Sequence, residues 1–494
     1  MSETHDQAMK NVYHQVLQRL LGHLSIAQKT ALHQLIQRLI VAAGGVERIG
    51  GLRIMMAYGG GKDSSHALAF MRAAQLSIAA RAPDTFALRV ATCRHAGMTS
   101  AVLGNIQRTY HALFADDDPR VEVLVVDDHQ VLAFDAKARL SMAASNANRM
   151  DLLMAGHLTT GDARAMFCNS CYLNLADFYR RIIAWEGGVD LVICTDPPAE
   201  QARYLAWGRR VLRDVGLLQG GEALREGALL EQFDSLGHAY YQQLHGDNYQ
   251  GAEPLPSQAA EPRFLSIHDL VHTPEPTKSS LLTEFLGFRF AELAFAFSES
   301  DCANPLLMAH MRGLRAQFVH NRDYRDGIDE YLQLAEAMMQ RKGMPAGLIE
   351  QALAAYEDEA GLKQRRQLAD DFSQQAYGLS EAQLVCLLFT PFVNQGQDLE
   401  AFLRRCHPGM LVALPYLHKA LRGEPAPEPV LQWLTDISGL PSQALQRLYG
   451  MQRADSLDRS SLIVSVRASD PDTSRIRSRD PRTGKMTFER VSGR

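Results

Sequence analysis

A strand, three consecutive glycines and a helix in immediate succession constrain this chain more than any other feature. Residues 54–66 read Ile-Met-Met-Ala-Tyr-Gly-Gly-Gly-Lys-Asp-Ser-Ser-His. The apolar run from Arg53 to Tyr58 has strand character, and beyond Lys62 the residues Ala67, Leu68, Phe70, Met71 and Leu76 recur at helical spacing. Glycines let a backbone approach its ligand closely. The N–H groups of a first helical turn point at that ligand, and the helix dipole favours negative charge. Lys62 adds a positive charge, and Ser64 and Ser65 add hydroxyl donors. The segment predicts a cradle for a phosphate-bearing nucleotide.

Two phosphate loops do not fit. The Walker pattern needs Gly-x-x-x-x-Gly-Lys-Ser/Thr, but Met56 stands at its first glycine and Asp63 follows Lys62. A dinucleotide fingerprint needs Gly-x-Gly-x-x-Gly, and Gly59 to Ser64 has no glycine at the last position. The segment resembles the Ser-Gly-Gly-x-Asp-Ser pyrophosphate loop of the PP-loop (N-type) ATP pyrophosphatases. Gly60, Gly61, Asp63 and Ser64 match position by position, while Gly59 stands where that family has serine. Ser65 is the nearby residue that could replace the missing hydroxyl.

Composition sets bounds without choosing a function. At 494 residues the chain is too long for one ordinary core and implies two or three domains. A formal net charge of −5 gives no general electrostatic case for nucleic acid. The first residues, Met-Ser-Glu-Thr-His-Asp-Gln, lack the basic-then-apolar layout of a signal peptide, and no apolar run of about 18 residues occurs. Seven cysteines in so long a chain do not form a disulfide framework, so a cytoplasmic, reducing setting with no membrane partner is expected.

Residues 8–48 carry helical periodicity, through Val12, Val16, Leu20 and Leu21 and then Leu32, Leu35, Ile36, Leu39 and Ile40. Strand candidates follow at 53–58, 86–93, 121–126 and 189–194, with helical patterns between them that include 98–114 and 172–186. Such alternation predicts an α/β fold with right-handed crossovers and a parallel sheet covered on both faces. The resemblance implies a sheet of the PP-loop (HUP-like) type over 51–248, after an N-terminal helical segment at 1–50. The linker-like stretch 250–262 leads to a mainly helical C-terminal domain at 263–422, with helices expected at 279–297, 305–319, 326–341, 346–357, 361–376 and 380–389. After a second proline-rich break, 430–494 holds a helical piece near 430–448. Strand character follows at 461–468 and 485–491, with a turn at 480–484. The tail from 467 carries eight Lys/Arg against four Asp/Glu, with Arg475, Arg477 and Arg479 alternating. RNA phosphates would suit those arginines, but without interleaved aromatics a solvated hairpin or disordered end is the expectation.

Ligands of a parallel sheet bind beyond the carboxyl ends of its strands. The weight therefore falls on the glycine loop, Cys93-Arg94-His95, Asp127-Asp128-His129 and Thr195-Asp196. Asp196 can hold Mg²⁺ or substrate, or cap the following helix. Cys168-Asn-Ser-Cys171 precedes an amphipathic helix and has three readings: half a zinc site, part of an iron–sulfur site, or a redox pair. Cys302, in a polar cluster, is the best further metal ligand; Cys406-His407 is a weaker one, and Cys386 reads as core. A PP-loop, a Cys-x-x-Cys about a hundred residues on and a third cysteine together resemble the tRNA 2-thiolation branch of the family. There, three cysteines hold an iron–sulfur cluster. The segment Gly97-Met98 to Asn105-Ile106 is similar to the sugar amidotransferases. Glu200 stands where many members carry a glutamate, though the glycine and histidine before it are absent; Lys278 reads as a surface lysine, with a reach to the phosphates from the second domain as the alternative.

The resemblance implies an ATP- and Mg²⁺-dependent enzyme that cuts ATP between its α- and β-phosphates and adenylates a carbonyl or carboxylate oxygen. On this reading Lys62, Asp63 and Ser64 are catalytic. Gly59, Gly60, Gly61, Lys62, Ser64, Ser65, Cys93 and Asp196 line the nucleotide site. The leading expectation is displacement of AMP by a nitrogen nucleophile, as in a ligase or amidotransferase, on a small-molecule or carrier-bound substrate. The alternatives are a sulfurtransferase, with Cys168, Cys171 and Cys302 holding zinc or an iron–sulfur cluster, and a non-catalytic adenine-nucleotide sensor. A tRNA substrate and an ammonia- or sulfur-donor protein are partners compatible with these readings.

Overall fold

The structure is a computed structural model. It describes residues 3–161, 171–218, 226–249, 251, 261–272, 280–289, 304–341, 344–454, 461–468, 473–479 and 485–492. A helical pair opens the chain, α1 (Glu3–Gly22) and α2 (Ile26–Ala43). Ser25 and Gln28 form a reciprocal capping box at the start of α2, and Gly44 ends it in the left-handed conformation (φ 82°). Strands then alternate with helices: β1 (Arg53–Ala57), α3 (Lys62–Ala79), β2 (Ala87–Cys93), α4 (Ser100–Leu113) and β3 (Val121–Asp127). Next come β4 (Gln130–Ala133), α5 (Met142–Leu158), α6 (Cys171–Ala184), β5 (Leu191–Cys194), α7 (Pro198–Asp214), α8 (Glu226–His245) and β6 (Arg263–Ser266).

These six strands form one sheet in the order β4–β3–β2–β1–β5–β6, parallel except for the β3–β4 hairpin. The expected α/β class and parallel sheet are present, and β4 and β6 extend the sheet beyond the four strands read from sequence. Alternate residues of β1 face opposite ways. Ile54 and Met56 pack with Leu68, Phe70 and Val90 on one side; Met55 packs with Ala91, Val192, Phe178 and Ile182 of α6 on the other. Burial on both faces explains why the strand reads as a continuous apolar run. Helix α3 is buried around nearly its whole circumference because α1, α2, α4 and the π-helical turn Ser280–Phe285 all lie against it.

The helical region follows as α9 (Pro305–Leu314), α10 (Tyr324–Arg341), α11 (Ala346–Ala354), α12 (Glu359–Tyr377) and α13 (Glu381–Phe389). It continues with α14 (Leu399–Cys406), α15 (Leu414–Leu421), α16 (Glu428–Ser438), α17 (Ser442–Gly450) and α18 (Leu462–Ala468). Strands β7 (Thr473–Arg479) and β8 (Met486–Ser492) close the chain as an antiparallel hairpin. Residues 461–468, expected as a strand, are a correction: they form helix α18. Ile463, Val464 and Val466 are buried there, Ile463 and Val466 within the helical core, and that burial overrides their β-branched preference.

The cores do not follow the division expected at residue 263. Ile267, Leu270, Leu281, Phe285 and Phe288 pack into the core of the sheet. In the other direction, Leu152 and Leu153 of α5, Val211 of α7 and Tyr240 of α8 pack into the helical core. No helix among the described residues is long and apolar enough to cross a membrane.

Candidate functional site

Chain order reverses at β1. Successive strands β2, β3 and β4 lie on one side of it, whereas β5 and β6 lie on the other. Such a reversal opens a crevice beyond the carboxyl ends of the two strands that flank it, where open α/β sheets bind ligands. The glycine turn leaves β1 at this point, and Cys194, Thr195 and Asp196 leave β5 beside it.

The turn is tightly specified. Gly60 has φ +74°, a region that L side chains rarely adopt, and a Cβ there would lie 2.7 Å from Cγ1 of Ile106 and 3.0 Å from Cγ1 of Val102, both on α4. Gly61 is the N-cap of α3, and no side chain caps that end. The hydroxyls of Ser64 and Ser65 donate to the Gly61 carbonyl at 3.0 and 2.8 Å. Because the Ser65 proton is committed to Gly61, the Tyr58 hydroxyl, 2.9 Å away, is the donor to Ser65. Tyr58 is fixed in turn by Thr92, whose hydroxyl donates to the Tyr58 carbonyl at 2.8 Å. Burial, partly offset by the Ser65 hydrogen bond, pushes the Tyr58 phenol up to about 12, so it stays a neutral donor.

The sequence-derived residues now divide. Gly59, Gly60, Gly61, Lys62, Asp63 and Ser64 form one continuous turn at the crevice. Asp63 is exposed and Ser64 half-buried, whereas Lys62 is buried in the first turn of α3. Ser65 is fully buried and engaged with Tyr58 and Gly61, so it braces the loop from beneath and does not replace the hydroxyl missing at Gly59. Cys93 ends β2 two residues past the Ala57↔Ala91 pair, level with Gly59, and is half-buried and outside any disulfide. Asp196 is exposed beyond β5 but is not the helix cap, because Pro197 occupies the N-cap of α7. Burial, together with the nearby Cys194 and Asp196, raises the phenol of Tyr179 on α6.

Cys168, Cys302 and Lys278 lie outside the described residues, and Cys171 is the first residue of α6. Among the described residues, no group of three or more His, Cys, Asp or Glu is arranged to hold a metal ion. Cys386 is fully buried, as expected for core packing.

At the end of β3, Asp127 is structural: its carboxylate accepts from the Ser141 hydroxyl at 2.6 Å and the Ser141 N–H at 3.0 Å, and Ser141 caps α5. Asp128 and His129 are the two central residues of the β3–β4 turn, at φ 47° and 66°. This turn type favours glycine or asparagine. Here it aims the His129 ring at Asp177 of α6, with Nδ1 2.6 Å from the carboxylate, while Arg181 Nε donates to the same carboxylate at 2.9 Å. Burial alone would raise Asp177, but the hydrogen bonds from His129 and Arg181 outweigh it and hold the carboxyl below its ordinary value. His129 stands two strands from the glycine loop on the same edge, about 10 Å at ordinary strand spacing. Sequence reading found His129 but not Asp177 or Arg181, because a helical Asp-x-x-x-Arg pair carries no signal of a partner 48 residues away.

A second anchor was also hidden. Asn105 and Arg108 of α4 reach across to the backbone at 287–289, through Asn105 Nδ2 to the Arg289 carbonyl (2.8 Å) and Arg108 Nε to the Gly287 carbonyl (2.8 Å). Since α4 also walls Gly60, this clamp ties the loop's support to the segment that returns after β6. Compared with known proteins, the chain matches no family model, and neither a curated protein nor a solved structure is similar to it.

Proposed function

We propose that the chain is an ATP-dependent adenylating enzyme that splits ATP into AMP and pyrophosphate at the Gly59–Ser64 loop. The observation that carries this reading is the glycine turn itself. It couples a residue locked at positive φ against α4 to a helix start with no side-chain cap, at the sheet's reversal point. Backbone N–H groups of Gly61 to Ser64 would receive the β- and γ-phosphates, Lys62 would supply charge, and the Ser64 hydroxyl would turn from Gly61 to a phosphate oxygen. Mg²⁺, when bound, neutralises charge on the phosphates; the exposed carboxylate of Asp63 is a hard oxygen donor suited to it.

A substrate carboxylate or carbonyl oxygen attacks the α-phosphorus, the bond from that phosphorus to the bridging oxygen breaks, and pyrophosphate leaves with both electrons. A nitrogen nucleophile then adds to the activated carbon, expels AMP and loses a proton. Positioning and charge neutralisation of the leaving pyrophosphate provide the acceleration. The test is pyrophosphate release from ATP in the presence of pooled carboxylate and amide acceptors. Lys62→Ala and Ser64→Ala should abolish it while both variants still fold and unfold cooperatively, and normal release by Ser64→Ala would remove this site from consideration.

A further inference from the structure

The C-terminal hairpin carries a face that the nucleotide loop does not use. Its register pairs Arg475 with Arg490, Arg477 with Phe488 and Arg479 with Met486. Residues directly opposite share a face, and alternate residues along a strand return to it. One face thus holds four arginine positions with Phe488 and Met486, whereas the hairpin's acid, Glu489, falls at a position on the other face with Ile476 and Val491. Phe488 is 66% exposed and Met486 60% exposed. Arg477 is exposed as well, and its guanidinium lies 6.0 Å from the centre of the Phe488 ring. The hairpin meets the rest of the chain through β7 against α10.

Two costs are built into this face. Arg475 and Arg490 are a like-charged pair directly across the ladder, which destabilises a hairpin. A phenylalanine and a methionine side by side are left in water. A polyanion with flat apolar faces relieves both. The aromatic that the linear sequence does not interleave among the arginines is supplied by the opposite strand.

We propose that this face binds single-stranded nucleic acid, with the arginines on successive phosphates and a base stacked on Phe488. Arginines two residues apart on a strand are spaced by about 6.8 Å, a step that suits neighbouring phosphates of an extended strand. Stacking on an exposed ring is the usual sequence-tolerant contact to unpaired bases. The local excess of arginine also stands out against the chain's net charge of −5. This face belongs to residues 473–479 and 486–492 and is independent of the adenylation reading.

The experiment is fluorescence anisotropy of the full chain with a short labelled oligoribonucleotide, its deoxy counterpart and a duplex of the same sequence, without ATP. Four phosphate contacts on a single strand give a slope of log affinity against log salt of about −2.8, a loss of about 50-fold between 50 and 200 mM salt. The double variant Arg477→Ala/Arg479→Ala should halve that slope. Phe488→Leu should weaken binding roughly tenfold with the slope kept. Phe488→Trp should retain affinity and show indole quenching on binding, a readout that loss of the hairpin could not produce. No binding at about 50 mM salt, tighter binding of the duplex, or an unquenched Phe488→Trp protein that still binds would each overturn the proposal. Because no ATP is present, the outcome is separate from that of the pyrophosphate assay.

Discussion

The hydroxyls of Tyr58 and Ser65 lie 2.9 Å apart beneath the glycine turn, one contributed by the residue that follows β1 and the other by the first turn of α3. This pair joins the strand to the helix across the loop that separates them. The glycines therefore span a gap whose two banks are already tied, and the loop is held in shape before any ligand arrives.

That tie is measurable by a double-mutant cycle. Tyr58→Phe removes the donor and should cost about 1 kcal/mol. Ser65→Ala should cost more, about 1–3 kcal/mol, since it takes the Ser65 acceptor from the buried Tyr58 hydroxyl and removes one of the donors to the Gly61 carbonyl. The double variant should cost less than the sum, with a coupling of at least about 0.5 kcal/mol in urea melts. Strict additivity would show that the two hydroxyls are not partners.

Gly60→Ala tests the loop more severely. The left-handed conformation costs an L residue about 1–2 kcal/mol, and the new methyl would meet Ile106 at 2.7 Å. A total loss of about 3 kcal/mol is expected, read from the denaturation midpoint, together with loss of pyrophosphate release. Adding Ile106→Val removes only Cδ1, 3.1 Å from the new methyl, and leaves Cγ1 in place, so it should not restore the lost stability.

Much of this architecture was legible because it is local. Apolar runs that end in Gly59 or Asp127 marked the strands, and the spacing of Leu68, Phe70 and Met71 marked α3. What stayed hidden depends on pairing across the chain. β4 and β6 are four residues each, too short to carry a period, and exist because β3 and β5 offer them an edge. The Asp128-His129 turn lacks the glycine that announces a hairpin. Helix α18 reads as a strand until the helical core that buries it is in place. The same limit applies to the candidate site: its backbone half is written in one segment, whereas the Asp177 carboxylate that orients His129 lies on α6, beyond β4 and α5.

Acid should expose a buried ion pair behind α3. Arg72 and Asp118 are 2.8 Å apart with side chains 1% and 0% exposed. Burial alone would raise Asp118, but hydrogen bonds from Arg120 and the charge of Arg72 outweigh it and hold the carboxyl down to about 2. A depressed carboxylate stabilises the fold above its unfolded value of 3.8, and that contribution is lost as pH falls toward 2. It amounts to about 2 kcal/mol. Stability should therefore fall between pH 4 and 2 by that amount more in the wild type than in Asp118→Asn, whose neutral side chain does not titrate. At pH 7 Asp118→Asn should itself be about 3–5 kcal/mol less stable, because it leaves Arg72 buried without its counter-charge.

His157, near the end of α5, gives the opposite kind of prediction. Its ring is fully buried, 5.2 Å from the ring of Phe392, and among the described residues neither nitrogen has a hydrogen-bond partner. Burial drives its pKa from 6.5 down to about 3, so the folded protein keeps it neutral. Below pH 6.5 the unfolded chain takes up a proton that the fold refuses. The neutral ring's contribution is whole above pH 6.5 and is lost as pH falls toward 3, at about 1.4 kcal/mol per unit. At pH 5 the loss is about 2 kcal/mol. His157→Leu removes both the titration and two unsatisfied buried nitrogens, and should raise stability at pH 7 by about 1 kcal/mol or more. His310, also buried and held at about 4, titrates in both proteins, so the difference between wild type and variant isolates His157. Urea melts of the two proteins at intervals from pH 7.5 to 4.5 should diverge steadily on the acid side. Parallel curves would mean that His157 is hydrogen-bonded in solution and that the contact between α5 and the segment carrying Phe392 is polar.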